Sequence, residues 1–219
     1  MPEIIINGPE GRLQTRYMPA GDPTAPIALI LHGDPSGGGH MGHPITVRMY
    51  KLFLKNEFSV LRFNFRGVGR SQGNANKDYE NIDGEVADAA VALDWIQAQC
   101  TNAHSCWVCG FSFGALIGMQ LMMRRPEVGH FVAVNLPVTK SDFSFLAPCP
   151  SPGLVVHGTK NNEVSVAEVA DTIDKMPEGS KKITFCPVDG AGKFFIDRLD
   201  PLMNEIESYI QAIASGEIG

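Results

Sequence analysis

The chain has no apolar stretch approaching the roughly 18–20 residues that span a bilayer, so no membrane segment is expected. Its opening residues, Met1-Pro2-Glu3-Ile4-Ile5-Ile6, lack the basic start and cleavage site of a secretory signal and the Arg/Ser-rich character of a transit peptide. Lys/Arg clusters are missing too. The 18 basic residues stand against 24 acidic ones, a formal net charge of −6, which argues against a nucleic-acid or anionic-membrane partner. Cysteines are five, an odd number, at positions 100, 106, 109, 149 and 186, which fits reduced thiols and a cytoplasmic location. Repeats, charge blocks and linkers are also absent. What is present is 44% hydrophobic residues in a chain of 219. That content can bury a core large enough to offset ordering entropy, and the length suits one domain over residues 1–219.

Short apolar runs alternate with helical patterns. Ile27-Ala28-Leu29-Ile30-Leu31 is continuously apolar, the mark of a strand buried on both faces. Strands are also expected over 59–65, 105–111, 131–135, 153–157 and 182–188. Val86, Ala89, Ala90, Leu93, Ile96 and Gln97 form one stripe of a helix over 83–99, and further helices are expected over 44–56, 113–125, 164–176 and 202–214. Ser165 and Glu168 have the spacing of a capping box. Residues 3–18 predict an antiparallel hairpin turned at Gly8-Pro9-Glu10-Gly11, and Pro148-Cys149-Pro150-Ser151-Pro152 a rigid loop. Alternation of strand and helix at this spacing predicts an α/β fold: a mostly parallel twisted sheet, helices on both faces, and a leading hairpin.

Chemistry concentrates at Gly110-Phe111-Ser112-Phe113-Gly114, which lies between a predicted strand and the helix-ready Ala115-Leu116-Ile117-Gly118-Met119. A G-x-S-x-G run in that context is a nucleophile elbow. Small residues at both ends permit a sharp turn that presents the Ser112 hydroxyl at the carboxyl edge of the sheet, against a helix N-terminus that favours developing negative charge.

Two more segments carry a family resemblance. His32-Gly33-Asp34-Pro35 follows a buried strand, and Arg62-Phe63-Asn64-Phe65-Arg66-Gly67-Val68-Gly69-Arg70-Ser71 follows the next. Together with Gly110–Gly114, Val156-His157-Gly158 and Phe194-Phe195, they make the chain resemble a small lidless bacterial subfamily of α/β-hydrolases, similar to dienelactone hydrolases. The resemblance implies an α/β-hydrolase fold, Ser112 as nucleophile, and the Phe113 and Asp34 N–H groups as oxyanion donors. It places the triad acid at Asn161, within His157-Gly158-Thr159-Lys160-Asn161, and the triad base at Lys193, within Gly190-Ala191-Gly192-Lys193-Phe194-Phe195. Neither position holds the family's residue.

A serine hydroxyl needs a neighbour to take its proton. Lysine serves only when desolvation or a cationic neighbour lowers its pKa, and an amide does not stabilise a base that becomes positive. Asp34 in the oxyanion loop is expected to pair with Lys193 across the pocket, with a substrate carboxylate as the alternative partner of Lys193. His40 and His43, on a Gly-rich loop, offer substitute bases, or stand as solvent-exposed loop residues. Glu163 offers a substitute acid, or a carboxylate complementing a helix dipole. His40-x-x-His43 lacks the helical spacing of a zinc pair, so no metal and no cofactor are expected. Cys106 and Cys109 point to opposite faces of a strand and are expected to be core thiols. His157 is expected to pack at a strand end, and His104 and His130 to sit at strand entrances. The connection 136–152 is too short for a large lid, and Phe143, Phe145 and Leu146 in it are expected either as an exposed contact surface or as pocket lining.

Three functions remain open at this point. One is a hydrolase acting on small esters or related acyl compounds through Ser112 and a nonstandard base. A second is an inactive relative that binds a ligand or a protein partner. The third is a cofactor-free lyase or isomerase using Lys193 and Asp34.

Overall fold

The computed structural model describes residues 3–76, 79, 81–146, 151–175 and 182–217. Positions 148–150 of the expected rigid loop and Met176 of the expected fourth helix lie outside the described residues. Eight strands form one sheet: β1 (Glu3–Gly8), β2 (Gly11–Met18), β3 (Ile27–Leu31), β4 (Ser59–Phe63), β5 (Cys106–Phe111), β6 (His130–Val134), β7 (Gly153–Gly158) and β8 (Ile183–Val188). Their spatial order is β1-β2-β4-β3-β5-β6-β7-β8. β1 and β2 form the predicted antiparallel hairpin, β2 runs antiparallel to β4, and all the remaining pairs are parallel.

Helices α1 (Pro44–Lys55), α2 (Asp83–Gln99), α3 (Phe113–Arg124), α4 (Val166–Asp174) and α5 (Leu199–Ala214) cover the sheet. Alternation along each strand decides which face they cover. Leu29, Leu31, Leu61, Phe63 and Val108 pack with residues of α2, α3 and α4, whereas Ala28, Ile30, Val60, Trp107 and Cys109 pack with α1 and α5. Cys106 and Cys109 fall in these two separate cores, as strand alternation predicts, and both are free thiols whose pKa is pushed up by burial.

Boundaries differ from the sequence pattern where local hydrogen bonding overrides it. β4 ends at Phe63 rather than residue 65, because the Gln14 N–H goes to the Ser71 hydroxyl instead of the Asn64 carbonyl and the Phe65 N–H goes to the His32 ring. α5 begins at Leu199, before Pro201, since a first-turn residue has no intrahelical acceptor for its N–H and proline is tolerated there. The Ser165–Glu168 capping box is present and starts α4 at Val166. Along α2 the buried stripe is Val86, Ala89, Ala92, Leu93 and Ile96, joined by Glu85 and Asp88, while Ala90 and Gln97 are only partly covered. Phe143, Phe145 and Leu146 are not an exposed surface: Phe143 and Leu146 are buried and Phe145 is partly buried in the core shared with α3, around a short 3-10 turn at Ser144–Leu146, and Phe143 also lines a small cavity with Val138 and Thr172. No helix among the described residues is long and apolar enough to cross a membrane.

Candidate functional site

Parallel strands bring their following loops to one edge, the carboxyl edge of the sheet. Residues 32–43 follow β3, Ser112 follows β5, Asn135 follows β6, Asn161 and Glu163 follow β7, and Lys193 follows β8. Ser112 holds φ 52°, ψ −114°, a sparsely populated conformation for a residue with a side chain. The two elbow glycines make that turn possible by close approach. A Cβ on Gly110 would collide with the Gly114 carbonyl, and one on Gly114 with the His32 carbonyl. Phe113 opens α3, so its N–H has no intrahelical acceptor. Among the described residues no carbonyl accepts from Phe113 N–H or from Asp34 N–H.

The loop carrying Asp34 is braced from behind. His32 is fully buried, with Nδ1–H donating to the Gly33 carbonyl (2.7 Å) and Nε2 accepting from the Phe65 N–H (3.1 Å). Burial lowers its pKa to about 4, so the ring is neutral. Arg62 Nη1 donates to the Met41 carbonyl (2.6 Å), and Asn64 Oδ1 accepts from the Met41 N–H (2.7 Å). Arg66 donates through its backbone N–H, Nε and Nη2 to the buried Asp88 carboxylate at 2.8–3.0 Å. The Arg62–Ser71 segment is thus a brace for residues 32–43 and for the start of α2.

Ser112 is 4% exposed. Beside it, the Tyr79 hydroxyl donates to Asp34 Oδ2 (3.2 Å). The Tyr79 ring stands edge-on to Phe113, with centroids 5.3 Å apart, and Lys140 Nζ lies 5.1 Å from its centroid. Burial, then the Asp34 charge, raises the Tyr79 pKa above the ordinary phenol value. Sequence reasoning missed Tyr79. It sits in an unpatterned loop before α2, and only the folded topology brings it over Ser112.

Lys193 does not pair with Asp34. Its Nζ lies 2.5 Å from Glu163 Oε1, while Lys140 Nζ lies 3.1 Å from Glu163 Oε2. The Lys193 ammonium, then Lys140, holds the Glu163 carboxyl below the usual range. The Asp34 carboxylate instead accepts from Ser36 N–H (2.8 Å) and Ser36 hydroxyl (2.7 Å), because an aspartate two residues before a serine finds its nearest donors in its own turn. Asn161 behaves likewise, its Oδ1 accepting from the Glu163 N–H (3.0 Å). Glu163 is therefore a counter-ion for two lysines, and the first-turn acid of α4 is Glu168.

The loop histidines stand apart from Ser112, with no hydrogen bond to it among the described residues. His40 is exposed and its Nδ1 accepts from the Gly42 N–H (3.1 Å). His43 precedes α1 and stacks on Phe111 (5.4 Å, 12° between planes). Its Nδ1 is buried with no hydrogen-bond partner among the described residues, and desolvation lowers its pKa. His157 Nε2 bonds the Val164 carbonyl inside the fold, and His104 and His130 lie at the entrances of β5 and β6, at the opposite edge of the sheet. No three His, Cys, Asp or Glu side chains among the described residues are arranged to hold a metal.

Residues 26–177 match the α/β-hydrolase fold family. An uncharacterized protein of Rickettsia prowazekii is 45% identical over 220 residues, covering 98% of this chain and 91% of its own length. The solved structure of a protein of unknown function from Agrobacterium tumefaciens is 45% identical, with TM-score 0.92 over 99% of this chain and 98% of that one. An α/β serine hydrolase homologue from Coxiella burnetii is 29% identical, with TM-score 0.83 over 95% and 96% of the two chains. Strand order, elbow and these likenesses agree: the chain belongs to the α/β-hydrolase family, in a small form in which only residues 135–152 join β6 to β7.

Proposed function

We propose that this chain is a non-hydrolytic member of its family, a binding protein that keeps the elbow without a working base. One observation carries the reading: Lys193, at the base position, has its ammonium 2.5 Å from the Glu163 carboxylate. An ammonium engaged in that contact has no lone pair to receive the Ser112 proton. Asn161, at the acid position, is turned to the Glu163 backbone and supplies no charge to a base. In serine proteases, which carry the triad on an unrelated fold, the acid-to-amide change alone costs about 10⁴ in turnover. The lyase or isomerase reading is weakened as well, since Asp34 and Lys193 are each committed to a different partner.

A second reading has its own observation. Tyr79 stands edge-on to Phe113, the neighbour of Ser112, and donates to the Asp34 carboxylate (3.2 Å), a nonstandard route for the serine proton in the hydrolysis of small esters. The raised Tyr79 pKa opposes it, because the phenol holds its own proton more firmly than usual.

Turnover of p-nitrophenyl esters separates the two. The proposal expects no rate above a Ser112→Ala control in the parent protein, and activity appearing in Asn161→Asp/Lys193→His. Parent turnover that is lost in both Ser112→Ala and Tyr79→Phe would overturn it in favour of the serine–tyrosine route.

A further inference from the structure

We propose that Lys193 and Lys140 form a receptor for an aliphatic carboxylate, with Glu163 as the internal counter-ion that the ligand displaces. The inference rests on the non-hydrolytic reading and specifies what that site holds. Each oxygen of the Glu163 carboxylate is taken by a different lysine, Oε1 by Lys193 and Oε2 by Lys140. A ligand carboxylate has the same two-oxygen shape and can bridge the same pair. Two ammoniums against one carboxylate leave a local excess of positive charge in a chain whose formal net charge is −6. Glu163 belongs to the connection between β7 and α4, held by the Asn161 turn, so its side chain can swing out without unpacking a core element.

The surroundings suit an apolar tail behind that head group. Phe194 is 44% exposed and its ring centroid lies 5.4 Å from Lys193 Nζ; Ile196, 79% exposed, stands on the same loop. These two, with Ile5 on the distant edge strand, are the large exposed hydrophobics among the described residues. Phe194 continues into an aromatic wall, with His43 at 5.8 Å and Phe111 at 6.2 Å between ring centroids, and Phe111 directly precedes Ser112. Cations beside exposed apolar surface select an amphiphilic anion over the neutral ester of the same acid. The replacement of a neutral base by lysine would thus have moved preference from ester to free acid. The Asp34 carboxylate is occupied by Ser36 and Tyr79.

Isothermal titration calorimetry on the full chain tests this with acetate, butanoate, hexanoate and octanoate, inorganic phosphate, and methyl octanoate. Affinity should rise along the acid series, by about twofold per added methylene if each is half buried. Octanoate affinity should fall at least tenfold in Lys193→Ala, fall in Lys140→Ala, weaken with added salt, and rise several-fold in Glu163→Gln, which removes the competing carboxylate and keeps both lysines. The proposal is overturned if octanoate does not bind, if Lys193→Ala binds it like the parent, or if Glu163→Gln binds it less tightly than the parent. It is equally overturned if methyl octanoate or phosphate binds as tightly as octanoate. Methanol release from methyl octanoate, dependent on Ser112, would instead refute the non-hydrolytic reading itself. Absence of both binding and hydrolysis refutes the carboxylate receptor alone.

Discussion

His32 links the pH dependence of stability to the loop that carries Asp34, and the perturbation that exposes the link is His32→Gln. In the folded chain both ring nitrogens are assigned by their neighbours: Nδ1–H faces the Gly33 carbonyl and Nε2 faces the Phe65 N–H. An imidazolium would set a second N–H against that of Phe65 inside a fully buried site. Desolvation accordingly lowers the folded pKa to about 4 from an ordinary 6.5. A depressed folded value means that the unfolded chain takes up the proton first. The contribution is fully present above pH ~6.5 and is lost as pH falls toward ~4, with a slope near 1.4 kcal/mol per pH unit and a total of about 3 kcal/mol. Between pH 7 and 4.5 the parent should lose about 2 kcal/mol more than His32→Gln, whatever the variant costs at pH 7. Urea unfolding at pH 7, 6, 5 and 4.5 measures the difference. The lowered values of His43, His130 and His157 have the same sign in both proteins and cancel. Parallel stability curves, or a His32 ring titrating near 6.5 by NMR, would refute the reasoning.

Two further changes probe the frame of the site. In Asp88→Asn the Arg66 guanidinium, 8% exposed against 1% for Asp88, loses its buried carboxylate and keeps the half-exposed Glu10 and the Gly84 carbonyl. Breaking such a buried pair costs about 3–5 kcal/mol, which is a drop in Tm of roughly 6–20 °C for a chain of this size, read by calorimetry. In Gly114→Ala the new Cβ would also meet the Leu31 carbonyl at 2.6 Å, so α3 must move away from β3. A loss of about 1–3 kcal/mol in urea unfolding is expected, and a neutral result would show that the elbow has slack.

Most of the fold was legible because its strands are short apolar runs with helices between them. Ile27–Leu31 needed no context, and the misplaced ends at Phe65 and Leu202 trace to single hydrogen bonds and one first-turn proline. Positions of the site residues followed the chain order of the strands. Their partners did not, and for two different reasons. Tyr79 and Lys140 reach the site only through the tertiary arrangement, and no local pattern marks them. The Asp34 and Asn161 turns, by contrast, carried a readable signal. Asp22 to Thr24, Asp34 to Ser36, Asp142 to Ser144 and Asn161 to Glu163 all show a short polar side chain accepting from the backbone N–H two residues on. That local bond is available before any long-range contact forms, so it wins over a charge across a pocket. With Asp34 engaged in its own turn, Lys193 pairs with Glu163.

The central claim is that Ser112 has no base. The rate at which a fluorophosphonate labels Ser112 tests it most directly, because that reaction needs an activated hydroxyl and no particular substrate. The parent chain should remain unlabelled at Ser112, and Asn161→Asp/Lys193→His should acquire labelling that Ser112→Ala abolishes. Labelling of the parent as fast as that of the double variant would contradict the account.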